Sequence, residues 1–323
     1  MKPARLIIDT DPGIDDSLAI LLALSSPEVK LEALTVVSGN TTAEQGVINA
    51  LGLLELAEVG EVPVAQGMSV PLIQPLLVAT ETHGEAGIGY ARLPAPHLQP
   101  VPQHGVDLII ETVLANPGEI SLVAIGPLTN IAMAVLREPR IVDAVQQVII
   151  MGGALRVGGN ATPLAEYNTF CDPHAAHIVF HSGFPMLLVP LDVTYQAILT
   201  KMDVERLLKI ESPISRFIAD ATRFYMEYHD EYQKIEGCII NDPLALALTF
   251  APELVDIEHI YVDVDISGGV SMGKTFADFY QMTHAKPNMR VALGVRSREF
   301  LELFLERMET LAPLHPSHPK EVS

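Results

Sequence analysis

Cysteine is nearly missing from this chain. Cys171 and Cys238 are the only two, too few for a disulfide framework or a thiolate metal site, so a reduced cytoplasm is the expected location. Basic residues are also scarce: 20 Lys+Arg stand against 40 Asp+Glu, a formal charge of -20. A field of that sign repels nucleic acid polymers and anionic membrane surfaces, and leaves neutral small molecules and cations as easy partners. Long apolar runs are missing as well. The greasy "SLAILLALSS" is far shorter than a membrane span, and "MKPARLIIDTD" lacks the apolar stretch of a signal peptide. There is no low-complexity tract and no internal repeat. Charged residues make up only 19% and hydrophobic residues 49% of 323. That balance excludes a disordered or coiled-coil chain and allows a sizeable core.

What is present is an alternation of short apolar runs with longer amphipathic ones. "RLIID", "KLEALTVVSG", "PVAQG", "ISLVAIG", "VQQVIIMGG" and "PMLLVPLDVT" read as strands. "DDSLAILLALSS", "AEQGVINALGLLELAEV", "GVDLIIETVLAN", "PLTNIAMAVLRE" and "DPHAAHIVFHSG" read as helices between them. Repeated strand–helix units of this length predict an open, mostly parallel, Rossmann-like α/β sheet with helices on both faces. A Pro-rich stretch at 68–103, carrying "ATETHGEAGIG", is too long for an ordinary connection and is expected to be a functional loop. Residues 201–232 look all-helical, and "CIINDPLALALTF" starts a further helix with Asp242 as its expected cap and Pro243 in its first turn. "HIYVDVDISGG" and "KTFADFY" look like a hairpin, "MRVALGV" a strand and "REFLELFLERMETLA" a closing helix. No linker divides the chain. One domain over 1–312, with an additional helical and hairpin region, and a loose tail at 313–323 are expected.

The chemistry concentrates in "RLIIDTDPGIDDSLAILLAL". Asp9, Asp11, Asp15 and Asp16 fall within eight residues at the carboxyl end of the first strand, the edge where open α/β sheets bind ligands. One such acid is ordinarily a helix cap. Four close carboxylates repel one another, and a bound cation would relieve that repulsion. The nearby ligands are all oxygens, which suits Ca²⁺ or Mg²⁺ rather than zinc. A strand ending in Asp-x-Asp resembles the haloacid-dehalogenase-like phosphatases, in which the first Asp is a nucleophile beside Mg²⁺. Their loop continues with Gly and Thr or Val, whereas here it continues "PGIDD".

"DTDPGIDDSLAI" instead closely resembles the signature of the nucleoside hydrolases, of the inosine-uridine preferring kind. The resemblance extends along nearly the whole chain, through "VVSGNTT", "THGEAG", "AIGPLTNIA", "IIMGGA", "GNATPLAEYNTFCDP" and "NDPLA" in order. Each piece also has a plain structural reading. Gly126–Pro127 could be a strand–helix break, Met151 core and Asn160, Glu166 and Asn168 polar loop residues. His83 could be a surface histidine and Asp242 a cap. What singles them out is their joint order and spacing.

The resemblance implies hydrolysis of the N-glycosidic bond of ribonucleosides to ribose and free base. It implies that Asp11, Asp16, Asp242 and the backbone carbonyl of Ile125 ligate Ca²⁺, with water and the ribose 2′- and 3′-hydroxyls completing the coordination. Asp11 would also be general base on the attacking water. Asp15 and Asn168 would hold ribose hydroxyls, Asn160 and Glu166 the 5′ side, and Asn40 would support the pocket. His83 and Met151 would line it, Tyr167 would stack on the base, and Asp9 would have a supporting role. A homodimer or homotetramer is expected by the same likeness.

One residue departs from the family. Many members carry His before the late Asp-Pro, where it can protonate the leaving base; here Asn241 stands there, and an amide is no acid at neutral pH. His83, His229, Tyr225, Tyr228 and Tyr232 are the alternative candidates. The departure keeps open a third reading, a Ca²⁺-stabilised nucleoside- or sugar-binding protein without catalysis, and leaves purine or pyrimidine preference undecided.

Overall fold

In the structure, a computed structural model, residues 2–311 are described; the expected loose tail at 313–323 lies outside them. The chain starts with strand β1 (Ala4–Thr10), helix α1 (Ile14–Ser25), β2 (Val29–Val36), α2 (Ala43–Leu56) and β3 (Val64–Gln66). After the Pro-rich stretch, which holds only the one-turn helix α3 (Thr80–His83), come α4 (Gly105–Ala115), β4 (Ile120–Ala124), α5 (Thr129–Arg137), α6 (Ile141–Ala144) and β5 (Gln147–Met151). A long loop leads to α7 (Tyr167–Cys171), α8 (Pro173–Phe180), β6 (Met186–Val189), α9 (Leu191–Thr194) and β7 (Ile198–Leu199). The helical region is α10 (Lys201–Leu208) and α11 (Pro213–Tyr228), extended by a π-helical segment His229–Gln233. The remainder is β8 (Cys238–Ile239), α12 (Asn241–Ala247), a 3₁₀ turn Pro252–Leu254, β9 (Val255–Ile260), β10 (Val262–Val264), β11 (Thr275–Ala277), β12 (Met289–Val295) and α13 (Ser297–Leu311).

Among the described residues, eight strands form one sheet in the order β3-β2-β1-β4-β5-β6-β12-β9, in which only the β9–β12 pair is antiparallel. The expected mostly parallel, doubly covered α/β sheet is therefore present. Side chains alternate across it, as the strand period of two requires. Leu6 and Ile8 enter the core shared with α1, α2, α12 and α13, whereas Ile7 enters the core under α4, α5 and α8. Helix α1 is buried along nearly its whole length, packed by α12, α13, α2 and α11, which explains why "SLAILLALSS" reads as continuously apolar rather than amphipathic. Among the described residues no helix is long and apolar enough to cross a membrane.

The strand order reverses at β1, whose neighbours are β2 on one side and β4 on the other. Connections leave the carboxyl ends of these strands in opposite directions, which opens a crevice there. Asp9 lies near the end of β1, and Asp11–Asp16 lead from that strand into the crevice.

Several local expectations change. The helix at "NDPLA" begins two residues early: Ile240, with φ -108° and ψ 83°, is the boundary residue, so Asp242 and Pro243 lie inside the first turn and Asp242 is not the cap. Helical N–H groups in that turn have no partner within the helix, so a proline loses nothing there. "PLDVT" turns into α9 instead of prolonging β6. The all-helical reading of 201–232 is interrupted between α10 and α11, where Ser212 caps α11 through Ser215 N and Pro213 starts it. The hairpin is β10 with β11, but the run before it bends at Tyr261, and Val255–Ile260 forms an exposed edge strand on β12 instead. Its charged side chains obscure the strand pattern, as is common where an edge must resist pairing with another chain.

Candidate active site

The β1–α1 turn is held by its own acids. Asp16, in the first turn of α1, accepts hydrogen bonds at Oδ1 from Thr10 Oγ1 (2.6 Å) and Asp11 N (3.2 Å). Its Oδ2 accepts from Gly13 N (3.0 Å) and Asn40 Nδ2 (2.8 Å). The capping role expected of a single acid is thus real, and it belongs to Asp16. The α1 terminus has a second partner from far away: His83 Nδ1 accepts from Ile14 N at 3.0 Å. That bond requires the proton on Nε2. Burial lowers the His83 pKa to about 4, so near neutral pH this side chain is a neutral imidazole and a donor through Nε2. It is buried, not on the surface.

Asp11 is fully buried. Its Oδ2 accepts from Asn40 N at 2.6 Å, while its Oδ1 has no hydrogen-bond partner among the described residues. Two glycines make room for this carboxylate. A Cβ at Gly39 would lie 2.0 Å from Oδ2, and one at Gly126 would lie 2.5 Å from Oδ1. Gly39→Ala is therefore expected to displace the Asp11 carboxylate. A misplacement of about 1 Å costs on the order of 10²-fold in rate, so kcat should fall by about that factor while the variant stays folded by circular dichroism. Unchanged turnover in Gly39→Ala would mean that the position of Asp11 is unimportant.

One carboxylate oxygen each from Asp15, Asp16 and Asp242 lie within 4.8 Å of one another, all three buried. Burial and the neighbouring charges push these groups above the usual carboxylate range. For Asp11 the next cause after burial is Asp16, and for Asp242 it is Asp15. Asp15 and Asp16 rise by burial as well. The donor set is all oxygen, one buried oxygen is orphaned and like charges face one another. Such a cluster could hold a metal ion. Asp15, expected on the sugar, is in this trio; Asp11, expected among the ligands, sits beside it, joined through Asp16. Asp9 lies outside: its Oδ1 accepts from Thr35 Oγ1 (2.6 Å) and Asn130 Nδ2 (2.8 Å), tying β1 to β2 and α5. Burial raises its pKa to about 7, against those two hydrogen bonds.

The cluster floors a pocket with about 600 Å³ of empty space, the open mouth included. Asp15, Asn40, His83, Ile125, Met151, Asn160, Glu166, Tyr167, Asn168, Asn241 and Asp242 all line it; Asp11 and Asp16 lie behind the wall. Glu166 caps α7, accepting at Oε1 from Asn168 N (2.8 Å) and at Oε2 from Gly153 N (2.9 Å) and Thr169 N (3.0 Å). Burial raises its pKa against these bonds. Asn160 Oδ1 accepts from Tyr167 N at 2.8 Å, and Tyr167 donates from its hydroxyl to Gly39 O at 3.0 Å. Asn168 Nδ2 donates to Ile125 O at 2.8 Å and to Met151 O at 3.2 Å. The Ile125 carbonyl is thus held in place, with one lone pair left for another partner.

Asn241 Nδ2 donates to Asp15 Oδ2 at 2.9 Å, and its Oδ1 is buried with no partner among the described residues. Tyr225 also points its hydroxyl at Asp15 Oδ2, 3.4 Å away. Tyr225, Tyr228 and His229 line the same pocket, whereas Tyr232 is 62% exposed and does not. His229 donates Nδ1–H to Tyr225 O (2.7 Å), and burial lowers its pKa to about 4. The π-helical turn that starts at His229 is a form concentrated at functional sites. Tyr195, Thr82 and Gln233 also line the pocket and escaped the sequence reading. Tyr195 ends the short helix α9 that follows the carboxyl end of β6, so the strand-end rule could have found it. Gln233 carries no local signal.

The comparisons with known proteins agree with this geometry. The family profile described as inosine-uridine preferring nucleoside hydrolase matches residues 6–302. The pyrimidine-specific ribonucleoside hydrolase RihA of Salmonella gallinarum is 38% identical over 308 residues, 95% of this chain and 99% of its own. The purine-preferring ribonucleoside hydrolase from Gardnerella vaginalis superposes with a TM-score of 0.91 at 36% identity, covering 96% of this chain and 99% of that one. The plant nucleoside hydrolase PpNRh1 also has a TM-score of 0.91 at 36% identity, with 95% and 99% covered. With its sheet, its acidic strand end and a family match over nearly its whole length, the chain belongs to the inosine-uridine preferring nucleoside hydrolases and is an enzyme of that family.

Proposed function

We propose that the protein hydrolyses the N-glycosidic bond of ribonucleosides to ribose and free base, with Ca²⁺ as its cation and Asp11 as general base. The observation that carries this reading is the buried, unpartnered Oδ1 of Asp11 beside three converging carboxylates. Asp11, Asp16, Asp242 and the Ile125 carbonyl would hold the cation, an oxygen-only set that Ca²⁺ accepts. Bound there, it would supply a lowered pKa for the attacking water and an anchor for ribose hydroxyls.

The chain's own residues do the rest. Asp11 takes the water proton at Oδ1, its other oxygen being fixed by Asn40 N. Asp15, aimed by Asn241 and Tyr225, and Asn168 hold ribose hydroxyls. Asn160 and Glu166 shape the 5′ side by fixing the 160–169 loop. Cleavage builds oxocarbenium-like charge on the ribose, which a pocket lined by carboxylates stabilises. On the base side, His83 Nε2–H and the Tyr228 hydroxyl are the candidate donors, and Tyr167 offers its ring for stacking. Asn241, engaged with Asp15, positions that carboxylate and does not replace the family's acid. A homodimer or homotetramer in the cytoplasm, built from one domain over 1–312, completes the reading.

The test is a panel of purine and pyrimidine ribonucleosides incubated with the protein and Ca²⁺, with free ribose assayed. Release of ribose from at least one is expected. Relatives named for opposite base preferences are about equally similar to this chain, so the panel also assigns the base. Tight nucleoside binding with no ribose released from any member would make the protein a binder; phosphate release from a phosphomonoester would favour phosphatase chemistry.

A further inference from the structure

A second constellation of ligating side chains lies away from the pocket, where helix α8 meets strand β10. His177 and His181 are one helical turn apart, at i and i+4, and their ring centroids are 4.3 Å apart. Asp263 on β10 faces both: His177 Nδ1 is 2.8 Å from its Oδ1, and His181 Nε2 is 3.5 Å from its Oδ2. The three potential ligand atoms lie within 4.8 Å of one another. None of the three residues lines the pocket of the candidate active site.

The hydrogen bonds around this trio set the ring states. His181 Nδ1 is 2.8 Å from the carbonyl oxygen of His177, so Nδ1 carries a proton and, in the neutral ring, Nε2 carries a lone pair. That lone pair faces a carboxylate oxygen. Two acceptors at 3.5 Å have no proton to share in the neutral form, and a cation between them satisfies both. A backbone carbonyl that fixes the far nitrogen of a histidine is also the usual orienting partner of a metal-ligating imidazole. Asp263 is oriented in its turn, because Val264 N donates to its Oδ1 at 2.8 Å. The Tyr261 hydroxyl lies 3.5 Å from His181 Nε2 and 3.4 Å from Asp263 Oδ2, close enough to bond a water in a fourth position.

We propose that His177 Nδ1, His181 Nε2 and Asp263 form a second cation site, selective for a divalent transition metal of the zinc type. Two imidazoles and one carboxylate are the ligands zinc, nickel and cobalt accept and calcium does not require. With metal–ligand distances of about 2.0–2.2 Å, neighbouring ligand atoms of a tetrahedral ion lie roughly 3.3 Å apart, so the trio needs only small side-chain rotations. Binding through Nδ1 moves the His177 ring proton, which otherwise bridges to Asp263, to Nε2, because a neutral imidazole carries one N–H and ligates through the other nitrogen. The site would brace α8 against the hairpin. That hairpin in turn supports the pocket's loop, since Thr275 Oγ1 accepts from Ala154 N (2.8 Å) and Gly273 O accepts from Thr169 Oγ1 (3.0 Å).

The full-length protein saturated with Ca²⁺ is dialysed against Zn²⁺ and its bound zinc counted, beside the His177→Ala/His181→Ala double variant. The wild type is expected to hold one more zinc per chain than the variant, and to gain a zinc-dependent rise in thermal midpoint that the variant loses. Without added zinc, both should hydrolyse substrate equally. Co²⁺ as a spectroscopic probe should give visible bands of tetrahedral character in the wild type only. Equal zinc uptake by the two proteins would overturn the proposal. If the double variant misfolds, His181→Gln replaces it, and retention of the extra zinc and of the cobalt bands there would overturn the proposal equally.

Discussion

Asp11→Asn is expected to lower kcat for ribonucleoside hydrolysis by about 10²–10⁴-fold, the range over which a positioned general base contributes, with the loss toward the upper end. An amide cannot take a proton from water, and it is a poor cation ligand where a charge is needed. The substitution is nearly isosteric, so the crowding by Gly39 and Gly126 is preserved. The amide oxygen can still accept from Asn40 N, as Oδ2 does now. Stability should move the other way. Asp11 is a buried carboxylate held against Asp16 and Asp15, which raise its pKa together with burial. Removing one of several like charges relieves repulsion in the metal-free protein. Its thermal midpoint without Ca²⁺ should therefore equal or exceed that of the parent. Steady-state kinetics and thermal melts in a calcium chelator check both halves. Near-normal kcat in Asp11→Asn would refute its role as base, and a large fall in the metal-free midpoint would show that the cluster is not frustrated.

Removal of the cation should have the other large effect. Exhaustive chelation is expected to abolish ribose release, and Ca²⁺ to restore it. A cation that binds only the folded chain stabilises it by about 2.7 kcal/mol at a free concentration 100 times Kd. For a chain of this size, that corresponds to a rise in midpoint of several degrees at roughly 2–4 °C per kcal/mol. The physical source is the cluster itself: Asp15, Asp16 and Asp242 converge while buried, and their hydrogen-bond partners among the described residues are hydroxyls, amides and backbone N–H groups that carry no charge. Titration of the chelated protein with Ca²⁺, following midpoint and turnover together, should give one binding curve for both. Full turnover after chelation, with calcium shown to be gone by elemental analysis, would remove calcium from the mechanism.

The two experiments separate what Asp11 does from what the cation does. The metal-free Asp11→Asn protein should be inactive and at least as stable as the metal-free wild type, which should also be inactive. Calcium should rescue the turnover of the wild type alone.

Much of this was written locally. The alternation of "RLIID", "ISLVAIG" and "VQQVIIMGG" with helices dictates a parallel sheet, because strands buried on both faces become continuous apolar runs. The acids after β1 mark the ligand edge for the same reason that open sheets bind there. Other features depend on partners far along the chain. His83, on a Pro-rich stretch with no periodicity, is marked as a pocket residue by the family resemblance and would be a surface histidine by local pattern alone; nothing local shows that it completes the terminus of α1 from 69 residues away. Asp242 is a cap by local pattern and a cation ligand by the family resemblance; it sits within the first turn of α12 and turns to the cluster. His177 and His181 share a helix face by spacing alone, but nothing in "DPHAAHIVFHSG" points to Asp263, more than eighty residues on.

By itself, then, the sequence determined the fold class, the family and the edge of the sheet that carries the chemistry, because hydrophobic period, turn residues and clustered charge act over a few neighbouring residues. The tertiary structure alone decided which oxygen is left without a partner, which carboxylates converge, and that Asn241 holds Asp15 rather than standing free. Those outcomes follow from strand order and from the close approach of Gly39 and Gly126 to Asp11. They arise only when segments distant in the chain are packed to contact, where a few tenths of an ångström settle whether a buried charge meets a donor, a cation or another charge.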